Sequence, residues 1–470
     1  MIWIRWACLL CFAALLCPLF GSTQEKNSSL AIKGGTVLDG TGAAPRANVT
    51  ILIKNGKIEA IGTDVKLPAD AKTIDATGKF IIPALFDSRV RIGPTPGNHV
   101  SRDEISAEQR LQNLRALVAA GVSTVRLIQG DLQEQQVYQR WWTEDVISSP
   151  RILTSGPIFT AKWGHPVEEY SAQAGPSRER EVRQIASKDQ VRDQVRDITH
   201  ASANSLEIDV DPGPISATKP RLEKSLLEII VAEGHGFDLP VFCEVGGNQD
   251  VLDAVASGAN AVEGVWEESF SDEAIAALVK GKLEFVPALT QQGDLLNLLD
   301  ETRLEAYLNQ PVVQKSLSST MKESLANNSG IIERVRKGLA GPGSESTRQQ
   351  LEDQQKRAFA NVQKAHAAGV KIAVGTGAGN LLIFPGASVH REMQLLVKAG
   401  LTPMEAIVAA TRNTAESLGL SGGLGTLEPG MEADLLILDA DPLLDIQNTQ
   451  KIHTVVQRGS EIPSDQLQLH

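Results

Sequence analysis

Gly78-Lys79-Phe80-Ile81-Ile82-Pro83-Ala84-Leu85-Phe86-Asp87-Ser88-Arg89-Val90-Arg91 reads as a turn, a short apolar run over Phe80–Phe86 and a charged end. A run of that length bounded by Gly78 and Asp87 predicts a buried strand rather than a helix. Side chains alternate along a strand, so Asp87, Arg89 and Arg91 share one face.

Runs of the same kind recur at Ser123–Ile128, Arg151–Ser155, Ser205–Val210, Pro240–Val245, Asn260–Val265, Glu284–Leu289 and Lys371–Thr376, alternating with helical stretches. Eight such strands predict an α/β fold, a (β/α)8 TIM-like barrel over residues 84–423. An open doubly wound sheet would give the same alternation. Before and after the barrel the texture is strand and turn. Asn55-Gly56 between Val49–Ile53 and Ile58–Ile61 marks a hairpin. Leu424–Leu427, Ala433–Leu438 and His453–Gln457 are separated by Pro429-Gly430 and Asp441-Pro442. These ends predict a small composite β-sandwich domain from residues 30–83 plus 424–461. Residues 290–364 read as a long polar, mostly helical insert, and barrel inserts of that length cover the mouth.

The 470 residues carry 45 Lys and Arg against 57 Asp and Glu, a formal net charge of −12. That balance argues against nucleic acid or an anionic membrane as the main partner. Arg5, the apolar run Trp6–Leu16 and the small residues Gly21, Ser22 and Thr23 predict a signal peptide over residues 1–23. The expected location is periplasmic or secreted, with no stable membrane association after cleavage. Cleavage would remove Cys8, Cys11 and Cys17 and leave Cys243 without a disulfide partner. Cys243 itself reads as a small outward-packed core residue. A homo-oligomer is possible.

Several ordered strings resemble the amidohydrolase superfamily, in particular its imidazolonepropionase-like and prolidase-like branch. They include Gly78–Asp87, Gly121-Val122-Ser123-Thr124-Val125-Arg126, Gly164-His165 and Gly386-Ala387-Ser388-Val389-His390-Arg391-Glu392. Ala399–Ala406, Ala410–Asn413 and Gly425–Leu435 complete the match. The resemblance implies a metal-dependent hydrolase of C–N bonds, using zinc or another divalent ion at the C-terminal mouth of the barrel. It places the metal-ligand positions at Arg89 and Arg91 (a His-x-His pair in the family), Glu207 (a Lys), Glu244 (a His), Gly264 (a His) and Gly377 (an Asp). A shift of two residues would offer Asp209 in place of Glu207.

Arginine is always protonated and has no lone pair for a cation. Two glutamates without a reliable third ligand fall short of a catalytic zinc site. The expectation is therefore no bound metal and no other cofactor. In its place Arg89, Arg91, Glu207 and Glu244 would form a buried quartet of cancelling charge, through bidentate pairing. The catalytic candidates are His165, Glu207 and Glu244. His165 follows Trp163-Gly164 near the expected pocket and reads equally as a base or as a structural residue. His390 is expected to fix the loop after strand eight. Three functions stay open: a non-catalytic relative binding a small anionic or peptide-like ligand, a C–N hydrolase with a metal-free or atypical metal mechanism, and an interaction scaffold.

Overall fold

The computed structural model describes residues 29–92, 107–145, 148–167, 179–212, 219–264, 268–291, 296–297, 300–317, 322, 344–380 and 382–467. The signal-peptide segment lies outside them.

Both ends of the chain build one sheet. Its strands are β1 (Leu30–Val37), β2 (Arg46–Lys54), β3 (Lys57–Gly62), β4 (Lys72–Asp75), β5 (Phe80–Pro83), β15 (Leu435–Leu438), β16 (Ile452–Gln457) and β17 (Ser460–Glu461). The order is β17-β16-β15-β5-β1-β2-β3, with β4 beside the first half of β1. The expected sandwich is thus tied by hydrogen bonds into a single eight-stranded sheet. Alternation decides its faces. Leu30, Ile32, Ile51, Ile53, Leu435 and Ile437 bury one core, whereas Leu436 and Leu438 pack against the barrel.

The apolar run Phe80–Phe86 is two strands, not one. Pro83 ends β5 in the small sheet, and β6 (Leu85–Val90) begins the barrel one residue later. Parallel ladders join β6, β7 (Val122–Leu127) and β8 (Arg151–Thr154). A second set joins β10 (Val182–Ile185), β9 (Ile158–Ala161), β11 (Leu206–Asp209), β12 (Val241–Val245), β13 (Ala261–Gly264) and β14 (Glu284–Val286). β9 and β10 were not expected. Gly156, at φ +68°, turns the chain after β8 so that it can extend again.

The eighth segment, expected as a strand over Lys371–Thr376, forms no regular ladder. It is held by single bridges, Ile372 to Phe285 on one side and Ala378 to Val90 on the other. Between them Ser88 N donates to Val374 O at 3.0 Å and Gly377 N to Arg89 O at 2.8 Å. The segment therefore links β14 to β6 by individual hydrogen bonds, while among the described residues no ladder joins β8 to β9. Helices such as Lys188–His200 and Lys224–His235 cover the outside through Val191, Val195, Leu227 and Ile230.

In the insert, Glu301–Leu308 and Pro311–Ser316 are helical, and Leu304, Tyr307, Val313 and Leu317 bury against Leu382 and Phe384. The insert is thereby anchored on the loop that follows the eighth segment. No described helix is long and apolar enough to cross a membrane.

Candidate functional site

Inside the barrel, each strand presents alternate residues to the axis. β12 faces Phe242 and Glu244 inward, and Val241, Cys243 and Val245 outward into the helical layer. Cys243 is the buried packing residue expected, and burial pushes its thiol pKa well up. The ladder sets Glu244 beside Asp209 of β11 and Glu263 of β13. Glu207 lies two residues below Asp209, on the same face.

These carboxylates meet two guanidiniums. Arg89 Nη2 pairs with Glu244 Oε2 at 2.5 Å, and its Nε lies 3.3 Å from Glu263 Oε2. Arg126 of β7 donates one nitrogen to Glu207, another to Glu263, and its Nε to the Ser88 carbonyl at 2.7 Å. The face of the Arg126 guanidinium lies on the Phe242 ring, 3.8 Å from its centroid. Arg89, Arg126, Glu207 and Glu263 are all essentially unexposed; only Glu244 keeps some solvent contact.

Arg126 holds the carboxyls of Glu263 and Glu207 side by side in the buried layer. Burial raises the Glu263 pKa and the Glu207 carboxylate adds to it, more than Arg126 and Arg89 lower it. Burial acts the same way on Glu244, but Arg89 and Arg91 outweigh it and hold that carboxyl below its ordinary value. With Glu263 pushed up to about 8 and so protonated at neutral pH, two guanidiniums face two carboxylates and the cluster is neutral.

The expected quartet is thus corrected in two places. Arg89, Glu207 and Glu244 come together, but Arg126 takes the place given to Arg91, and Glu263, which was not among the candidates, joins as a fifth member. The missed residues carried a signal: each is the one charged residue of its buried strand, in Val122–Leu127 and Ala261–Gly264. Arg91 is half-buried and points its two terminal nitrogens at neutral amides, Asn380 Oδ1 at 2.7 Å and Gln129 Oε1.

The other candidates separate. His165 Nε2 lies 3.9 Å from Asp209 Oδ2, and the imidazole is near enough to favour ionised Glu244. His390 is fully buried between Thr449 Oγ1 and the Ala120 carbonyl, each at 2.9 Å, and burial lowers its pKa to about 4. It lies within the helix Ala387–Lys398 and fastens that helix, rather than the loop after strand eight as expected. Gly377 is a turn residue that donates its N–H to Arg89 O. The segment's polar anchor is Thr376, whose N–H and hydroxyl both bond Asp87. Asp87 is buried, with its pKa raised to about 6 by desolvation.

Residues 80–462 match the amidohydrolase family. The chain is 23% identical to the ochratoxinase of Aspergillus niger over 95% of its own length and 88% of the relative's. In three dimensions it resembles a Xaa-Pro dipeptidase solved with methionine in its active site, at TM-score 0.73 and 20% identity, covering 93% of this chain and all of that one. The A. niger ochratoxinase structure superposes at TM-score 0.70 and 20% identity, over 92% of this chain and 95% of that one. The match of the family across most of the sequence, together with the barrel and its composite sheet, makes this chain a member of the amidohydrolase family.

Proposed function

We propose that this protein is an exported, non-catalytic amidohydrolase relative whose barrel mouth binds a small anionic or peptide-like ligand without a metal. One observation carries the reading: the guanidiniums of Arg89 and Arg126 lie among Glu207, Glu244 and Glu263, where a divalent ion would need open oxygen donors. Each of these carboxylates is already bonded to a fixed cation. Guanidinium offers no lone pair, and a third positive group would be repelled. His165, the one imidazole near the mouth among the described residues, ranges with Asp209 instead. The residues present do not fit the family's metal. Without that ion, nothing in the cluster lowers the pKa of a water to make a nucleophile. Export is supported by the signal-like pattern of residues 1–23.

A second reading, a hydrolase of C–N bonds that works without metal, is favoured by the His165–Asp209 pair beside Glu244. An imidazole oriented by a carboxylate is the usual apparatus for moving a proton.

The test is elemental analysis of protein produced with zinc, iron and manganese in the medium, joined to an assay on dipeptides and N-acyl amino acids. The expected result is metal far below one ion per chain and no turnover. Stoichiometric metal overturns the proposal. Turnover in metal-free protein that His165→Ala abolishes establishes the second reading.

A further inference from the structure

Backbone strain is distributed unevenly in this chain. Most left-handed non-glycine residues sit where turns require them: Asn55 and Arg458 in hairpins, Asp145, Ser202, Asp238 and Lys282 just past helices. Gln129, Trp163, Ala288 and Leu382 are different. They are poor left-handed formers, and each lies just beyond the C-terminal end of a barrel strand or of the eighth segment. Such strain persists only where surrounding structure imposes it, and it gathers at ligand sites.

Gln129 shows what the strain holds in place. Its side chain is buried and its Oε1 accepts from Arg91 Nη2, while Asn380 Oδ1 takes Nη1 from the opposite loop. The backbone beneath is equally fixed. Arg91 N donates to Ala378 O at 2.7 Å, and a Cβ on Gly379 would come within 2.2 Å of the Arg91 carbonyl oxygen. Two loops therefore seat this guanidinium on neutral amides, and among the described residues no carboxylate pairs with it in direct contact, although it stands near enough to Glu244 to favour the ionised form of that carboxyl. Two residues along the same strand, Arg89 Nη1 is buried and has no hydrogen-bond partner among the described residues. The mouth thus combines a fork seated on neutral amides with an unmet donor.

We infer that Arg91 is the anchor for a carboxylate monoanion, with Gln129 and Asn380 as the residues that position its fork. The inference rests on the reading of the mouth as a metal-free binding site, and it names the ligand's chemical class. A planar carboxylate matches a guanidinium fork. Glu244 and Asp209, ladder neighbours on the adjoining strands, would repel a doubly charged anion such as phosphate.

The experiment is titration calorimetry with N-acetylglycine, its methyl ester and inorganic phosphate, on the wild type and on Arg91→Met and Arg91→Lys. Saturable binding of the acid alone is expected, weakened about tenfold or more in Arg91→Met. Arg91→Lys keeps the charge but loses the fork, and should fall between. Non-saturable binding of the acid, equal affinity in Arg91→Met, or preference for phosphate overturns the inference. Metal analysis of the same samples separates the failures. Metal-free protein that ignores the acid sinks only the ligand class, whereas stoichiometric metal sinks the reading beneath it.

Discussion

On the barrel floor, Phe86, Phe242 and Ala261 meet Ala415, Leu418 and Leu424 in a small apolar cluster. Two residues further along the inward faces of β12 and β13 stand Glu244 and Glu263, with Arg126 lying on the Phe242 ring between the layers. The floor is held by apolar area and close packing, which fall off gradually as atoms are removed. The charged layer has no such tolerance. Each of its groups has lost its water, and only a particular partner offsets that loss. Since a hydrophobic filling would serve stability as well or better, the charged layer is a costly way to close a barrel. Its value lies in the mouth it supports.

The largest expected effect follows from that contrast. Arg126→Met leaves Glu207 buried without its cation and Glu263 with Arg89 alone, and should destabilise the fold by about 3–5 kcal/mol. Leu418→Ala on the floor should cost about 2–3 kcal/mol. Urea unfolding of the two variants checks the order. The contrast breaks if Leu418→Ala costs as much. It sharpens if adding Glu207→Gln and Glu263→Gln to Arg126→Met restores part of the loss.

The same contrast explains what could be read from sequence. The floor, the strand starts and the composite sheet follow from apolar spacing, which reports on local geometry. Arg89, Glu207 and Glu244 were legible as a group because each is a charged residue near the end of a strand, at a position that the family resemblance singles out. Arg126 and Glu263 occupy no such position. A long arginine can reach the axis from a strand that supplies no ligand, so the metal positions of the family are blind to it. What Gly264 could not supply, the preceding carboxylate did. Arg91 was misjudged for another reason: parity puts it on the face of Arg89, but strand geometry ends at Val90, and the amides of Gln129 and Asn380 then redirect it. The irregular eighth segment was equally hidden, because its hydrogen bonds depend on neighbours far away in the chain.

A smaller effect is expected with pH. Glu263 titrates above its unfolded value, so the native state holds a proton that the unfolded chain has released. Its stabilising contribution is full below the unfolded pKa and is lost as pH rises toward the folded one. Asp87 and Glu392, raised by burial to about 6 and about 7, act with the same sign. Glu244, held low, contributes the opposite: stability present above its unfolded pKa and lost on acidification. The wild type should therefore lose stability as pH rises from about 4.5 to about 8. Glu263→Gln, which keeps a donor toward Glu207 without the titration, should flatten that decline by about 1 kcal/mol or more. Urea midpoints across that range measure it, and an unchanged slope would mean that another group holds the proton.

The smallest effect belongs to Arg91, and its smallness is the sharpest form of the comparison. Arg89→Met, two residues earlier, would strand Glu244 and should resemble Arg126→Met. Arg91→Met removes a half-buried guanidinium from two neutral amides, each able to take water or a side-chain partner instead. No buried carboxylate among the described residues loses its ion-pair partner. The expected change is within about 1 kcal/mol, in either direction, because relief of the Gln129 backbone offsets part of the lost bonding. A thermal melt checks this in the same samples used for titration. A large loss would mean that Arg91 belongs to the buried layer after all, and weaker ligand binding in that variant would then report on folding rather than on recognition.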